Sequence, residues 1–254
     1  MRLLWILLEM TNCAIRMLRN GGIEYRCVKL DCNRSAVQSV KQMKPHLETI
    51  DKIFKGNVLF NYSTYNNTHI FMLLNGTELV AYLELKPTIL VERGWRGKRT
   101  YKNFTFYMVC VPEKYRRKGF CKILMDFAVK STISENGTKD VFFSMHLNSE
   151  DLSAPVSAKT YYQLGFRRAM WARYSFEEYI HSFENFRKNS VDLYELMKDE
   201  TKGSGTGGMV ALCCEAKDYA SKKWPVPENF YELGRSLMTR MDARRRTYDS
   251  TFSG

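Results

Sequence analysis

Several features that would place the chain in a well-defined class are absent from its sequence. No apolar run approaches the roughly 18 residues that a membrane-spanning helix needs. The strand-turn-helix segment at 104–130 contains neither the Gly-x-Gly-x-x-Gly fingerprint of dinucleotide-binding proteins nor the Gly-x-x-x-x-Gly-Lys-Ser/Thr string of P-loop proteins. Internal repeats are also absent. The sequence therefore argues against a helical membrane protein, a Rossmann-type enzyme, a P-loop protein and a repeat array.

Metal ligands at a recognisable spacing are missing too. The seven cysteines are an odd number, and apart from the adjacent Cys213 and Cys214 they lie far apart in the chain. This spacing predicts neither a zinc site nor a disulfide framework, and we expect no metal. Reduced, mostly buried thiols in an intracellular protein, cytoplasmic or nuclear, are the simplest interpretation.

Two features point instead towards secretion. Residues 1–9 combine Arg2 with a six-residue apolar run that Glu9 interrupts, which is short for a signal peptide. We expect an amphipathic helix or a poorly ordered extension there. Asn-x-Ser/Thr sequons are more frequent than the roughly two expected by chance, but several suit turns or a core strand better than glycosylation. They begin at Asn33, Asn61, Asn66, Asn75, Asn103 and Asn136.

Positive charge dominates the composition. The formal net charge is +12 in 254 residues, which favours anionic partners. The densest basic clusters are Arg93, Arg96, Lys98 and Arg99, and the late run Arg240, Arg244, Arg245 and Arg246. No DNA- or RNA-binding motif accompanies them, so a solvated surface is favoured over nucleic-acid contact.

The most informative stretch is residues 104–130. An apolar run typical of a strand, 104–111, ends at Pro112, and a basic turn, 116–119, follows. Apolar residues then recur at helical spacing over 120–130. The first N–H groups of a helix lack partners within it, and the helix dipole adds positive charge there. Since Gly119 has no Cβ, a phosphate could approach this turn closely, but ligand-free α/β proteins contain similar connections, so these residues alone do not establish a phosphate site.

This turn and a later segment resemble a known family. Arg116-x-x-Gly119-x-Cys121 resembles the Arg/Gln-x-x-Gly-x-Gly/Ala signature of the GNAT superfamily of acetyl-CoA-dependent N-acyltransferases, with cysteine at the third position. Tyr161 to Phe166 resembles the Tyr-x-x-x-Gly-Phe end of the family's last conserved helix. Ala154 stands where an asparagine usually opens that helix. The resemblance covers about residues 57–214, with its specific core at 104–166.

The resemblance implies an α/β fold with a mixed, mostly antiparallel central sheet flanked by helices. We expect N- and C-terminal helical extensions around it. The predicted boundaries are an N-terminal extension over 1–22, the acetyltransferase domain over 23–214 and a basic helical tail over 215–254. Within the domain we predict a helical insertion at 175–202 and a glycine-rich linker at 203–208.

The expected elements follow from periodicity and turn residues. Asn75-Gly76 lies between two apolar runs and predicts a hairpin. We expect Pro87 to end the second of these strands and the charged residues 92–102 to form a loop. Helices are predicted over 35–54, 119–132, 156–164 and 227–246, with strands over 140–147 and 209–214.

Roles for individual residues also come from the resemblance. Backbone N–H groups of Val109, Cys110 and Val111 would contact the pantetheine arm of CoA and polarise the thioester carbonyl. Tyr161 would protonate the leaving CoA sulfur, since a phenol pKa of about 10 exceeds that of a thiol; otherwise its ring simply packs on the sheet. The CoA pyrophosphate would lie on the turn formed by Arg116, Arg117, Lys118, Gly119, Phe120, Cys121 and Lys122.

The general base is not determined by the sequence. Thr105 stands where some family members have a strand glutamate, and threonine cannot act as a base. Glu84 and His146 are the remaining nearby candidates, and a water chain is a third option. Glu84 could equally be a surface carboxylate at a strand end, and His146 a core histidine.

The predicted function is N-acetyl transfer, in which an acetyl group moves directly from acetyl-CoA to an amine. The acceptor class stays open among proteins, peptides and small amines, because the cleft would be lined by variable loops such as 86–102 and 148–156. The alternatives are a degenerate CoA-binding module and a basic nucleic-acid-interacting protein. Oligomeric state does not follow from the sequence.

Overall fold

The computed structural model describes parts of the chain that fall into two compact units. The first unit comprises Met1–Thr88 and Phe104–Gly137, and the second Ile89–Asn103 and Thr138–Gly254. Two strands, β5 and β6, run through both units. The described residues are 8–10, 13–20, 23–32, 68–94, 97–148, 155–168, 191–192, 209–221, 227–230, 232 and 236.

The first unit is a sheet with one long helix. Its strands lie in the order β1-β2-β3-β4-β5-β6, and neighbours from β1 to β5 are antiparallel. After β6 the chain continues into helix α1. The strands are β1 Leu8–Met10, β2 Cys13–Asn20, β3 Ile23–Cys32, β4 Thr68–Asn75, β5 Glu78–Gly94 and β6 Gly97–Cys110, and α1 is Phe120–Asn136.

The predicted hairpin and helix of this unit are both present. Asn75 pairs with Glu78, and Gly76 at the turn has a φ of 58°. Helix α1 begins after Gly119 and ends before Gly137, whose N–H donates to Ile133 O at 2.7 Å. Its apolar face packs on the sheet, where the Phe127 ring meets Phe71 edge-on at 5.8 Å. The predicted helix over 35–54 lies outside the described residues.

The expectation of a helix or disordered extension before residue 23 is wrong for the part described. Strands β1 and β2 lie there, and β2 pairs with β3 from Cys13↔Leu30 to Asn20↔Ile23. Two glycines, Gly21 and Gly22, separate these paired strands. Gly-Gly between two strands is a hairpin signal, and the strand conformation of β2 is stabilised by its pairing with β3.

The expected end of β5 at Pro87 is also wrong. β5 continues to Gly94 and β6 begins at Gly97, so most of the predicted loop 92–102 is strand. Leu85 pairs with His69 near the start of β4, so Pro87 lies beyond the described β4 pairing. Proline has no N–H to donate, and because β4, in its described residues, is not paired with β5 at this position, no hydrogen bond to β4 is lost.

The second unit contains the remaining strands in the order β5-β6-β7-β10-β8-β9. β10 is antiparallel to both β7 and β8, and β8 is antiparallel to β9. A buried cluster of Tyr101, Phe142 and Cys213, against which Leu90 packs, forms part of its core. The elements are β7 Val141–Asn148, α2 Pro155–Gln163, β8 Arg167–Arg168, β9 Val191–Asp192, β10 Met209–Glu215 and α3 Ala216–Ser221.

A mixed, mostly antiparallel sheet with flanking helices is thus confirmed. The all-helical insertion over 175–202 is wrong at Val191–Asp192, which pairs with Arg167–Arg168 as a short strand. Its other residues, the linker 203–208 and most of the helix predicted over 227–246 lie outside the described residues. Helix α3, at the start of the C-terminal segment 215–254, was not among the predicted helices. No helix in the described part has the length and apolarity of a membrane span.

Candidate functional site

The basic turn folds back onto the end of β6. A 3-10 turn, Glu113–Tyr115, follows Pro112, and Tyr115 N donates to Pro112 O at 2.9 Å. Arg116 Nε donates to Val111 O at 3.1 Å, which ties this exposed side chain to the strand end. These hydrogen bonds hold the turn against the end of β6.

Two left-handed residues bring the chain from this turn into α1. Arg117 has a φ of 63° and Gly119 a φ of 80°. Gly119 is the N-cap, and the first helical hydrogen bond runs from Ile123 N to Gly119 O at 3.1 Å. A Cβ placed on Gly119 would meet, among the described residues other than its chain neighbours, no atom within 4 Å. The start of α1 therefore faces open space.

The start of α1 suits an anion. No side chain caps it within the described residues, and its first turn carries no acidic residue. Arg116, Arg117, Lys118 and Lys122 are exposed around it. Backbone N–H groups at a helix start and several cations nearby are the usual elements of a phosphate site.

Aromatic packing holds the start of the helix in place. Phe120 is 2% exposed, with its ring centroid 5.0 Å from that of Tyr25 and 6.0 Å from that of Tyr115. Cys121 is half-buried beside Met125, and burial raises the pKa of its thiol to about 11. Cys121 is therefore a small neutral side chain at the third motif position, compatible with a site for an anion.

An acidic residue that sequence reasoning missed anchors the turn. Glu78, the first residue of β5, accepts hydrogen bonds from both Lys114 Nζ and Tyr115 Oη. No local motif could reveal this contact, because Glu78 is far from the turn in sequence. The contacts of Glu78 with Lys114 and Tyr115 link the turn to the Asn75-Gly76 hairpin.

The end of β6 leads directly into this turn. Val109 and Val111 are half-buried, and Cys110 between them is 6% exposed. Burial, and then the nearby charge of Glu84, raises the pKa of the Cys110 thiol to about 12. This thiol is therefore protonated at neutral pH and does not compete as a nucleophile.

Glu84 lies within β5 and is only 3% exposed, so its interpretation as a surface carboxylate at a strand end is wrong. Its Oε1 accepts a hydrogen bond from Tyr82 Oη at 2.6 Å. Burial raises the pKa of Glu84 above its ordinary value, while the Tyr82 hydrogen bond and the charge of Lys86 oppose that increase. A carboxylate with a raised pKa is better suited to accept a proton at neutral pH.

The other two candidates belong to the second unit. His146 lies on β7 opposite Ala211 of β10. Tyr161 lies half-buried on α2, with its ring centroid 6.4 Å from that of Phe166. Phe166 N donates to Tyr161 O at 3.1 Å, and Gly165 has a φ of 79°. The Tyr-Gly-Phe motif is therefore the C-terminal end of α2.

The structure thus brings together some of the predicted site residues. The basic turn, Val109 to Val111 and Glu84 lie in the first unit, whereas His146 and Tyr161 lie in the second. Thr105, in the place of the family's strand glutamate, is a half-buried residue of β6.

Comparison with protein families identifies residues 35–241 with the family described as "Putative acetyl-transferase". This match covers most of the chain and includes the turn, Glu84, His146 and Tyr161. A search of curated protein sequences returns no match. The family match bears out the sequence resemblance to acetyltransferases.

Three acyltransferases are among the solved structures that match part of this chain. A "Probable N-Acyltransferase" from Enterococcus faecalis V583 is 12% identical with a TM-score of 0.40, over 56% of this chain and 33% of that one. NAA60 from Arabidopsis thaliana in complex with acetyl-CoA is 16% identical with a TM-score of 0.38, over 56% and 85%. The spermidine/spermine N-acetyltransferase SpeG from Vibrio cholerae is 11% identical with a TM-score of 0.37, over 77% and 99%. The chain thus spans about a third of the length of the Enterococcus protein. Such low identities and TM-scores carry no information about function.

Proposed function

The chain belongs to the family described as "Putative acetyl-transferase", and from this premise we propose that it transfers an acetyl group from acetyl-CoA to an amine. In this reaction the amine nitrogen attacks the thioester carbonyl carbon and the carbon–sulfur bond breaks. One proton leaves the amine and another is taken up by the departing thiolate. Acetylated amine and free CoA are the products.

The observation that carries this proposal is the open start of α1. The pyrophosphate of CoA would lie over Gly119, because in the described part of the chain only its own neighbours come within 4 Å of the position that a Cβ would occupy. The uncapped N–H groups of the first turn would donate to it, and Arg116, Arg117 and Lys118 would contribute positive charge. This geometry matches a ligand that is anionic at one end.

The reactive end of acetyl-CoA would extend along the end of β6. Backbone N–H groups of Val109, Cys110 and Val111 are our proposed donors to the pantetheine arm and to the thioester carbonyl, where each aligned donor stabilises developing negative charge. The Cys110 thiol between them is protonated and adds no charge of its own.

We assign the two proton transfers to different residues. Glu84 is favoured over His146 as the base, because its buried carboxylate has a raised pKa and a defined hydrogen-bond partner. Tyr161 is the proposed acid for the leaving thiolate. Because Glu84 is 3% exposed, it would receive the proton through water rather than by direct contact with a bulky acceptor.

The activity can be tested by a transfer screen. Wild-type protein is incubated with acetyl-CoA and a panel of peptides, polyamines and small amines, and thiol release is followed together with the mass of the products. We expect release of free CoA and acetylation of at least one acceptor class.

Other outcomes identify the alternative functions. Saturable acetyl-CoA binding without transfer to any acceptor would indicate a degenerate CoA-binding module. Binding to DNA or RNA that falls steeply with salt and does not depend on CoA would indicate a nucleic-acid-interacting protein. Either result would contradict the proposed activity.

A further inference from the structure

Tyr82 and Glu84 form a buried pair within β5. They are two residues apart on one strand, so their side chains lie on the same face. Tyr82 is 0% exposed and Glu84 is 3% exposed. The hydroxyl of Tyr82 donates to Glu84 Oε1 at 2.6 Å, a short hydrogen bond of the kind formed with ionised acceptors.

Resting on the proposed function, we propose that Tyr82 is a positioning residue for acetyl transfer, whose hydroxyl orients the Glu84 carboxylate and keeps it ionised to accept the amine proton. The proton of the amine moves to Glu84, while Tyr82 keeps its own. Tyr82 therefore acts through Glu84 and need not touch either substrate.

Several neighbouring groups affect the ionisation of Glu84. Lys86 on the same strand contributes positive charge, and the Cys110 thiol on β6 is neutral. On β4 the residue paired with Glu84 is Ile70, which has no titratable group. Burial raises the pKa of Glu84, and the Tyr82 hydrogen bond is the larger of the two opposing effects.

The hydroxyl could instead serve packing alone. A buried phenol usually finds some hydrogen-bond partner, and its loss destabilises a protein whether or not catalysis depends on it. The two roles differ in one respect. A positioning role changes the pH at which Glu84 titrates, whereas a packing role changes only the stability.

Tyr82→Phe separates these roles, with Tyr101→Phe as the matched control. Tyr101 is also 0% exposed, and its ring contacts Phe142 in the second unit. Infrared spectra of protein with isotope-labelled glutamate follow the carboxyl band of Glu84 against pH, and Glu84→Gln assigns that band. The pH dependence of kcat/KM is measured by thiol release from acetyl-CoA with an acceptor that the wild type uses.

We expect Tyr82→Phe to move both the carboxyl titration and the acidic limb of kcat/KM to higher pH. On that limb kcat/KM should fall about tenfold or more, the scale of a lost hydrogen bond to a charged group, and recover to within about twofold at alkaline pH. Tyr101→Phe should move neither curve. Replacing Tyr82 with 3-fluorotyrosine keeps the packing and strengthens the donor, so it should move both curves to lower pH, even if Tyr82→Phe fails to fold.

Two results would overturn the role of Tyr82. One is an unmoved Glu84 titration in the Tyr82 variants, which would leave the hydroxyl a packing group. The other is a moved titration with an unmoved kcat/KM profile, because Glu84 would then not limit transfer. Failure of the proposed function itself looks different: no variant, wild type included, would acetylate any acceptor, and the role would fall with it.

Discussion

Arg117 lies in the basic turn with a left-handed backbone, at a φ of 63°. This conformation costs a residue with a Cβ roughly 1–2 kcal/mol, a cost that glycine avoids. Strain of this kind is often found at ligand-binding turns, where the exact path of the chain matters. The guanidinium of Arg117 is exposed beside the open start of α1. Strain and charge therefore occur together at this residue.

Arg117→Gly removes both the backbone strain and the charge, but the strain affects stability whereas the charge affects ligand binding. We expect the free energy of unfolding to rise by up to about 1 kcal/mol in urea titrations, while affinity for acetyl-CoA falls severalfold with the lost charge. Asp140→Gly is the matched control, because Asp140 also has a left-handed φ, at 55°, but lies after α1. It should stabilise the protein similarly and leave affinity unchanged. Equal affinity of the Arg117 variant and wild type would remove this residue from the site.

Glu84 gives stability a characteristic dependence on pH. Burial raises its pKa in the folded protein above the ordinary value of 4.5, so the fold favours the protonated form. The corresponding stabilisation is complete below the unfolded pKa and is lost as pH rises through the folded pKa. Glu84→Gln removes this titration. Urea unfolding of both proteins across this pH range should show the variant gaining stability relative to wild type as pH rises, and parallel curves would contradict the prediction.

Tyr161 and its neighbour Tyr162 allow a controlled test of the proposed acid. Tyr161 is half-buried, whereas Tyr162 is 9% exposed and packs on Phe230, with ring centroids 5.4 Å apart. Tyr161→Phe should lower kcat by roughly 10²-fold, the usual scale for a general acid, and leave acetyl-CoA affinity within a few-fold. Tyr162→Phe should keep kcat within about twofold. Wild-type kcat in Tyr161→Phe would make that tyrosine structural.

At the scale of elements, the basic turn depends on the β4–β5 hairpin. Glu78 is 44% exposed and Lys114 is 62% exposed, so their ion pair contributes little to stability. The ion pair instead restricts the conformation of the turn, since Glu78 also accepts a hydrogen bond from the Tyr115 hydroxyl. A turn held before ligand binding loses less conformational entropy when the ligand arrives.

Glu78→Ala should therefore weaken acetyl-CoA binding severalfold while changing the free energy of unfolding by no more than about 1 kcal/mol. Asp126→Ala is the control, since it removes the exposed ion pair with Lys130 on α1, away from the turn. Calorimetric titration and urea unfolding of both variants measure the two quantities. A loss of stability without a loss of affinity in Glu78→Ala would show that the contact serves only the fold.

Elements whose own residues mark their turns or ends were predictable from the sequence. Elements that depend on pairing with another strand were not. The hairpin at Asn75-Gly76 and the ends of α1 follow from residues that fix their own turn and caps. The continuation of β5 past Pro87 could not be predicted in this way. It depends on where the pairing with β4 ends, because a proline within a strand is tolerated where its N–H is not needed for pairing. The same holds for β2, whose strand conformation depends on β3.

For the molecule as a whole, the motif residues indicated the family but not the environment of each candidate. The signature at Arg116 to Cys121 is contiguous, so sequence alone located the turn. Burial of Glu84 and its hydrogen bond to Tyr82 depend on neighbouring strands and became evident only in the structure. Glu78 was missed for the same reason. The acceptor side has no comparable contiguous motif, so the transfer screen is needed to identify the class of acceptor.

The central claim is that the open start of α1 binds the phosphates of acetyl-CoA, and calorimetric titration of matched glycine variants tests it most directly. Gly119 and Gly137 flank α1 with φ values of 80° and 74°, and a Cβ at either would meet no described residue within 4 Å apart from its chain neighbours. A glutamate strains the backbone at both positions, and more at Gly137, whose ψ of −171° at positive φ is a conformation essentially restricted to glycine. At Gly119 its charge also favours the helix start, so stability should suffer less there. We predict saturable binding to wild type and Gly137→Glu, and affinity at least about 100-fold weaker in Gly119→Glu. Equal binding by the two variants, or none by the wild type, would contradict the account.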